Sequence, residues 1–440
     1  MYATLCYVLL IAITLYEVII SFKIYKGSNS IVPIFPILII YLWSIYGAWT
    51  WIPLKQQGEI FFYETIMFNV NVDGYYFLSL LLYSLFLVVF SLYELSYISR
   101  SKIILKRQNN KEQWLLYIEK LSRSKTYRLI TLFLLLIFLY FSYKDISNAI
   151  SSGVSAYKLS RFDSELGALE SLVMFCGNTF VYLTIPLFFT KCNSKKIFPI
   201  TLFFLYYLCS FYLGNRSTLL SGLIITFLLY SEIYGVRKAF RLRNIVIGLL
   251  LLSAIQIISI MRGISANELL TYNDSVGFSD IFFTLITSPE FYAAQMSMYG
   301  VLKFDVAYTW GSSILFLFSA LIPTFIGFER PKSIYEYYVM GTIGHRPEYG
   351  VTINHITGWY LNFGLIAVII GAITWAAVLR FFLIRKREFI YMYGAVIFSG
   401  VSTQMIRSGI EAYKGVLLLA TLVPVFIIWR FGKRYKKINV

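Results

Sequence analysis

Charged residues are scarce in this chain. Only 14% of its 440 residues are Asp, Glu, Lys or Arg, whereas 58% are hydrophobic. Soluble domains carry about 25% charged residues, so a water-soluble globular domain is excluded. The apolar residues come in runs of ~20, the length that a helix needs to cross ~30 Å of hydrocarbon. The sequence therefore predicts an all-α polytopic membrane protein.

Cysteine and cofactor motifs are also sparse. The four cysteines are not grouped, which excludes a disulfide framework and a thiolate metal cluster. The sequence has no phosphate-binding Gly-rich loop, no dinucleotide fingerprint and no zinc-binding His-Glu-x-x-His. We therefore expect no metal and no cofactor.

Hydropathy divides the chain into about 11 transmembrane helices plus one re-entrant segment. The predicted spans are 3–22, 31–49, 75–97, 129–143, 171–190, 197–213, 217–235, 244–261, 357–383, 389–406 and 412–430. The apolar stretch 314–328 is short for a crossing and is interrupted by Pro323 and Gly327, so we expect it to be re-entrant or to lie at the interface.

The basic residues predict the orientation. With the N-terminus outside and the C-terminus inside, 27 of the 39 Lys and Arg residues fall on the inner side, as expected for cytoplasmic loops. The net charge of +17 is then a consequence of topology, and no nucleic-acid partner is expected. Residues 1–440 form a single membrane domain with a large outer loop at 262–356. Within that loop, 279–298 is expected to be a helix lying on or just above the bilayer.

Arginines near the outer surface are the main candidates for ligand binding. They are Arg216, Arg262, Arg407, Arg330 and Arg346. Burying an arginine at membrane depth costs free energy unless the side chain is paired or faces water. One guanidinium group can bind two phosphate oxygens at once, so these residues favour a pyrophosphate site. The alternative is that each arginine extends to the lipid headgroups or pairs with a loop carboxylate such as Glu329 or Glu411.

Proton transfer and sugar contacts have candidates in the outer loops. Imidazole titrates near neutrality, and His355, at the outer start of the ninth span, is the better-placed base; the alternative is a structural histidine that caps the helix. Asp163 and Glu165 resemble a weak metal-binding pair, but a solvated loop is favoured because such sites recruit further ligands. Several loop aromatics are candidates for sugar stacking: Tyr335, Tyr337, Tyr338, Tyr349 and Trp359.

Three sequence elements are similar to those of one enzyme family. They are Gly214-Asn215-Arg216-Ser217, Ile322-Pro323 followed by Glu329-Arg330-Pro331-Lys332, and TINHITGWYLNFGLIAVIIG at 352–371. The last is similar to a segment ending in Y-x-N-F-G-x-x-G in O-antigen polymerases of the Wzy type. It also resembles the H-N-x-Y-L…G-L-I-G segment of O-antigen ligases. The chain therefore resembles the oligosaccharide repeat unit polymerases of bacterial surface polysaccharide pathways.

The resemblance implies a GT-C-like fold and a metal-independent, inverting glycosyltransferase in the bacterial inner membrane, with its site facing the periplasm. The donor would be a growing glycan on undecaprenyl pyrophosphate, and a lipid-linked repeat unit would be the acceptor in lipopolysaccharide O-antigen or capsule synthesis. Membrane lipid and a chain-length regulator protein are the other candidate partners. Many relatives have an acidic residue where this chain has Trp359, so Glu348 and Asp280 are retained beside His355 as catalytic candidates.

Two other functions stay open. An O-antigen ligase would use the same chemistry with a lipid A-core acceptor, although Thr357-Gly358-Trp359 in place of a longer His-Asn pattern favours a polymerase. A lipid-linked oligosaccharide flippase or transporter would be expected to have two related halves and charges along a central cavity. No internal repeat is visible, and the spans carry few charges, with Glu17 and Glu94 toward their inner ends.

Overall fold

The computed structural model describes residues 1–59, 64, 67–100, 111–152, 168–191, 194–213, 216–246, 248, 289–319, 332–345, 352–410 and 420–434. Within these ranges the chain is almost entirely helical and has no β-strand. The α-helices of eight or more residues are α1 (Tyr2–Ser28), α2 (Ile34–Tyr41), α3 (Gly47–Gln56), α4 (Gly74–Arg100), α5 (Lys111–Arg123), α6 (Lys125–Ser152), α7 (Ala168–Thr184), α8 (Ser194–Tyr212), α9 (Arg216–Tyr234), α10 (Pro289–Lys303), α11 (Ser312–Ser319), α12 (Ile334–Thr342), α13 (His355–Ile384), α14 (Phe389–Met405) and α15 (Val423–Arg434).

Among the described residues, five helices are long and apolar enough to cross a membrane. They are Tyr2–Ser28, Ile34–Gln56, Gly74–Tyr97, Lys125–Tyr143 and His355–Ile384. Their outward faces carry large apolar side chains such as Val18 and Phe22, both 64% exposed, as a lipid-facing surface requires. The prediction of an all-α membrane protein is thus confirmed, whereas the predicted number of eleven spans stays a prediction. The predicted span 244–261 lies mostly outside the described residues, as does the re-entrant segment beyond Ser319.

The chain divides into two compact units. Unit 1 comprises Met1–Gln108, Thr287–Ile384 and Val401–Leu417, and unit 2 comprises Asn109–Ile286, Arg385–Gly400 and Leu418–Val440. In unit 1, α4 packs against α1 and α13. Tyr83, Phe86 and Phe90 follow one another at spacings of three and four, which places them on one face of α4. All three are fully buried, and the rings of Phe86 and Phe90 contact Trp375 of α13.

A π-helical turn separates α2 from α3. It covers Leu42–Tyr46 and presents Trp43 and Ser44 toward the interior of unit 1, where both are buried. A π-helical turn widens the helix by one residue and is common at functional sites. As a consequence, the ring of Trp43 lies against Arg407, and the hydroxyl of Ser44 accepts a hydrogen bond from Asn354.

Unit 2 is held together by aromatic side chains that bond to backbone carbonyl groups. The hydroxyl of Tyr127 donates to the carbonyl oxygen of Leu183 at 2.7 Å, and that of Tyr393 donates to Tyr182 at 2.5 Å. The amphipathic helix α5 buries Trp114, whose indole N–H donates to the carbonyl of Arg387 at 3.0 Å. These contacts satisfy polar ring atoms that would otherwise be costly to bury.

Helix α10 corrects one prediction. The region 279–298 was expected to lie on or just above the bilayer, but residues 292–301 are buried inside unit 1, apart from the half-buried Ala293. Two polar side chains of α10 donate hydrogen bonds there: the amide of Gln295 donates to the hydroxyl of Tyr76 at 3.2 Å, and the hydroxyl of Ser297 donates to the carbonyl of Ala294 at 2.7 Å. An apolar helix with scattered polar positions is therefore not by itself evidence of a lipid surface, because such positions can form hydrogen bonds within the protein.

Candidate functional site

The segment 352–364 lies directly beside the segment that carries Arg407. Ile353 and Ser408 form an isolated parallel bridge, the N–H of Gly409 donates to the carbonyl of Ile353 at 3.0 Å, and that of His355 donates to Ile406 at 2.9 Å. Two residues predicted from the sequence, His355 and Arg407, are thus brought onto adjoining stretches of backbone.

Glycine at position 358 allows this close approach. A Cβ atom at Gly358 would lie 2.8 Å from the backbone nitrogen of Ile410 and 3.2 Å from the Cα of Gly409. Real Cβ atoms do not come this close to backbone, so any larger residue would force the two segments apart. The central position of Thr357-Gly358-Trp359 therefore requires glycine.

Asn354 anchors the start of α13. Its side-chain oxygen accepts the N–H of Ile356 at 3.0 Å, as an N-cap residue does. Its amide nitrogen donates to the hydroxyl of Ser44 in the π-helical turn, and its backbone N–H donates to the hydroxyl of Ser297 in α10, both at 3.0 Å. Asn354 is fully buried, so one residue, through its side chain and its backbone N–H, connects three elements of unit 1.

A chain of hydroxyl groups extends this network. The hydroxyl of Thr357 lies 2.9 Å from that of Ser297 and 3.1 Å from that of Tyr83, which in turn donates to the carbonyl of Gln295 at 2.9 Å. These groups are fully or almost fully buried. Since buried polar networks with satisfied partners are rigid and specific, the start of α13 is held in one position.

His355 is fully buried, and both of its ring nitrogens are engaged. Nδ1 lies 2.5 Å from the carbonyl oxygen of Gly409, and Nε2 lies 3.1 Å from the indole nitrogen of Trp359. A carbonyl oxygen only accepts and an indole N–H only donates, so Nδ1 carries the proton and Nε2 accepts. This geometry favours the alternative in which His355 is a structural histidine at the helix start.

Arg407 is half-buried, and its guanidinium lies over an aromatic ring. The Cζ atom is 4.8 Å from the centroid of the Trp43 ring. A cation over a ring face is attracted by the ring quadrupole, and the planar guanidinium also stacks. Trp43 therefore orients Arg407. Trp43 was not predicted as a site residue, because a tryptophan within an apolar run does not differ from its neighbours in hydropathy pattern.

The Tyr-x-Asn-Phe-Gly segment forms a kink in α13. Phe363 and Gly364 leave the helical conformation, and Gly364 adopts φ 63° and ψ −142°, a region open essentially to glycine alone. Asn362 stabilises the kink: its oxygen accepts the hydroxyls of Thr309 at 3.0 Å and Ser313 at 2.8 Å, and its amide donates to the carbonyl of Gly358 at 2.8 Å.

We expect Asn362→Asp to destabilise the protein by at least about 1–3 kcal/mol, because a carboxylate cannot donate to the carbonyl of Gly358 and would be buried as a charge. Thermal unfolding of the purified protein in detergent measures this effect. Asn69→Asp, at an exposed position, is the matched control and should leave the midpoint unchanged. Equal midpoints for the two variants would show that the amide does not stabilise the kink.

The remaining predicted site residues are not placed relative to this cluster. Arg262, Arg330, Arg346, Glu348 and Asp280 lie outside the described residues, as does Asp163 with Glu165. Arg216 begins α9, and its side chain is also outside the described part. Among the aromatics predicted to stack on sugars, Tyr338 and Trp359 are buried, which makes them packing residues.

Comparison of the chain with protein-family models, with curated proteins and with solved structures finds no match. Within the described residues, the best-defined arrangement of chemical groups around a predicted site residue is the cluster formed by Asn354, His355, Asn362, Arg407 and Trp43.

Proposed function

We propose that this chain is a multi-pass membrane glycosyltransferase that polymerises lipid-linked oligosaccharide repeat units. The observation that supports this most is the position of Arg407: a half-buried guanidinium, oriented by Trp43, beside the buried start of the segment 352–364. Arginine is suited to bidentate contact with phosphate oxygens. A polymerase requires such a group at the membrane surface, where the pyrophosphate of a lipid carrier lies.

The proposed reaction is an inverting transfer at the anomeric carbon. The bond from that carbon to the pyrophosphate oxygen of the donor breaks, and the hydroxyl oxygen of the acceptor sugar forms the new glycosidic bond. The leaving undecaprenyl pyrophosphate takes the negative charge, which Arg407 stabilises together with Arg216 and Arg262, while Arg330 and Arg346 contribute from the loop. No metal or cofactor enters, since the donor already contains the activated bond.

The acceptor proton needs a base. Because the Nε2 atom of His355 already accepts the indole N–H of Trp359, we assign proton removal to a carboxylate, with Glu348 and Asp280 as the two candidates. In this proposal His355 is a positioning residue: its bond to Gly409 holds the segment of Arg407 in place.

We propose a GT-C-like topology of eleven crossings, with 314–328 re-entrant, 262–356 outside and the reaction facing the periplasm of the bacterial inner membrane. Reporter fusions after Ser275 and Tyr349 should then read periplasmic, and fusions after Asn109 and Lys437 should read cytoplasmic, because most basic residues lie on the inner side. Opposite readings for Ser275 and Tyr349 would show that 314–328 crosses the membrane.

The direct test is an assay of the purified chain with undecaprenyl-pyrophosphate-linked repeat units in buffer containing EDTA. A polymerase forms a ladder of longer lipid-linked glycans. Transfer only when lipid A-core is added would instead identify a ligase. Movement of the intact substrate across proteoliposomes without a new glycosidic bond would identify a flippase, and either result would overturn the proposal. In a deletion strain, the polymerase proposal predicts surface glycan with a single repeat unit.

A further inference from the structure

A cluster of three exposed aromatic rings and one half-buried ring joins the loop after α10 to the kink of α13. We call Tyr308, Trp310, Tyr360 and Phe363 the aromatic platform. The ring of Trp310 lies 5.7 Å from Tyr308 and 6.3 Å from Phe363, and the ring of Tyr308 lies 5.8 Å from Tyr360. Trp310 is 73% exposed and Phe363 is 42% exposed. Aromatic side chains of this size dominate binding surfaces, so their exposure as one group needs an explanation.

The platform is built on a fixed backbone. The N–H of Thr309 donates to the carbonyl of Leu361 at 2.7 Å, and its hydroxyl bonds to Asn362. Trp310 has φ 47°, which is unfavourable for a bulky residue and persists only where surrounding contacts impose it. The contacts of the neighbouring Thr309 therefore fix the backbone from which the Trp310 ring projects.

Polar groups lie beside the rings. The hydroxyls of Tyr308 and Tyr360 are 3.3 Å apart, and Asp305, exposed and three residues before Tyr308, supplies a carboxylate on the same loop. Aromatic faces carry partial negative charge and attract the C–H face of a pyranose, whereas hydroxyl and carboxylate groups bond to its hydroxyls. This combination fits a sugar better than an acyl chain, which has no hydrogen-bonding groups.

The platform lies where the outward apolar surface of α13 begins. From His355 to Asn362 every residue except Tyr360 is buried in unit 1, whereas Leu365, Ile366 and Ile370 beyond the kink are exposed. Residues 365–384 are sufficient to cross ~30 Å of hydrocarbon at 1.5 Å per residue. The rings therefore stand at the edge of the lipid-facing segment, the level at which the first sugars of a lipid-linked glycan lie.

We propose that the aromatic platform binds a pyranose residue of a lipid-linked glycan, with the sugar face on Trp310 and its hydroxyls bonded to Asp305 and Tyr308. The identity of the glycan rests on the proposed function, whereas sugar binding itself does not require catalysis. The platform would hold the glycan at the mouth of the site and determine which sugar is accepted.

The test is binding of one free repeat-unit oligosaccharide, released by mild acid from the lipid-linked form, to the full chain in nanodiscs. Trp310→Ala should weaken binding about tenfold, the loss of about 1.4 kcal/mol, while Trp310→Phe should retain most of it. Tyr140→Ala is the control, since Tyr140 is 78% exposed on α6 and should bind normally. Equal affinity for wild type and Trp310→Ala would overturn the inference.

Quenching of fluorescence distinguishes a sugar platform from a membrane-interface residue. The emission of Trp310, obtained as the difference between wild type and Trp310→Phe, should be quenched by aqueous acrylamide and protected by the oligosaccharide. Quenching by brominated lipid without protection by the oligosaccharide would contradict the inference. Oligosaccharide binding that depends on Trp310, in a protein that forms no polymer, would uphold the platform and overturn only the polymerase proposal.

Discussion

Arg407→Lys should reduce the rate of glycan polymerisation by about 10²–10³, because lysine keeps the charge but lacks the planar fork that contacts two phosphate oxygens. The ammonium group also cannot stack over Trp43 as the guanidinium does at 4.8 Å. The initial rate of ladder formation from purified lipid-linked repeat units measures the effect. Arg216→Lys is expected to act in the same direction.

The matched control is Arg385→Lys. The guanidinium of Arg385 also lies near an aromatic ring, 5.4 Å from the centroid of Tyr391, and donates to its hydroxyl at 3.1 Å. If loss of an arginine–aromatic contact were enough to impair the enzyme, both variants would lose activity. We expect Arg385→Lys to polymerise normally. Normal polymerisation by Arg407→Lys would show that the pyrophosphate site is elsewhere.

His355→Ala should destabilise the protein by about 2–5 kcal/mol, because it removes the hydrogen bonds of the imidazole to two buried groups, the carbonyl of Gly409 and the indole N–H of Trp359. The expected observation is a lower thermal midpoint and less protein in the membrane. His355→Asn should restore much of the stability, since an asparagine amide can donate from near the position of Nδ1 to the same carbonyl.

The asparagine variant also separates the two roles of His355. An amide cannot act as a general base, and loss of a base costs about 10²–10⁴ in rate. If His355 is a positioning residue, His355→Asn polymerises at a rate close to that of wild type once corrected for the amount of folded protein. A folded His355→Asn protein that is inactive would make His355 the base after all and would displace Glu348 and Asp280.

Local sequence was sufficient to predict that the chain is a helical membrane protein. Hydrocarbon accepts no unsatisfied backbone groups, so runs of apolar residues must become helices, and the five long apolar helices follow from this. The importance of 352–364 was also visible in the sequence, and its physical basis is now evident: Gly358 permits close backbone contact, and Asn362 and Gly364 form the kink.

Tertiary contacts decided which of these residues meet. Asn354 and Ser44 are 310 residues apart in sequence, and Trp43 and Arg407, which also contact each other, are further apart still, so no local pattern predicts either contact. The sequence is equally compatible with His355 as a base and as a cap, and its burial between Gly409 and Trp359, which favours the structural role, is a tertiary feature. Hydropathy determined which segments are helical, because backbone hydrogen bonding within a helix is local. Which side chains meet depends on packing between distant segments, and that information lies only in the folded chain.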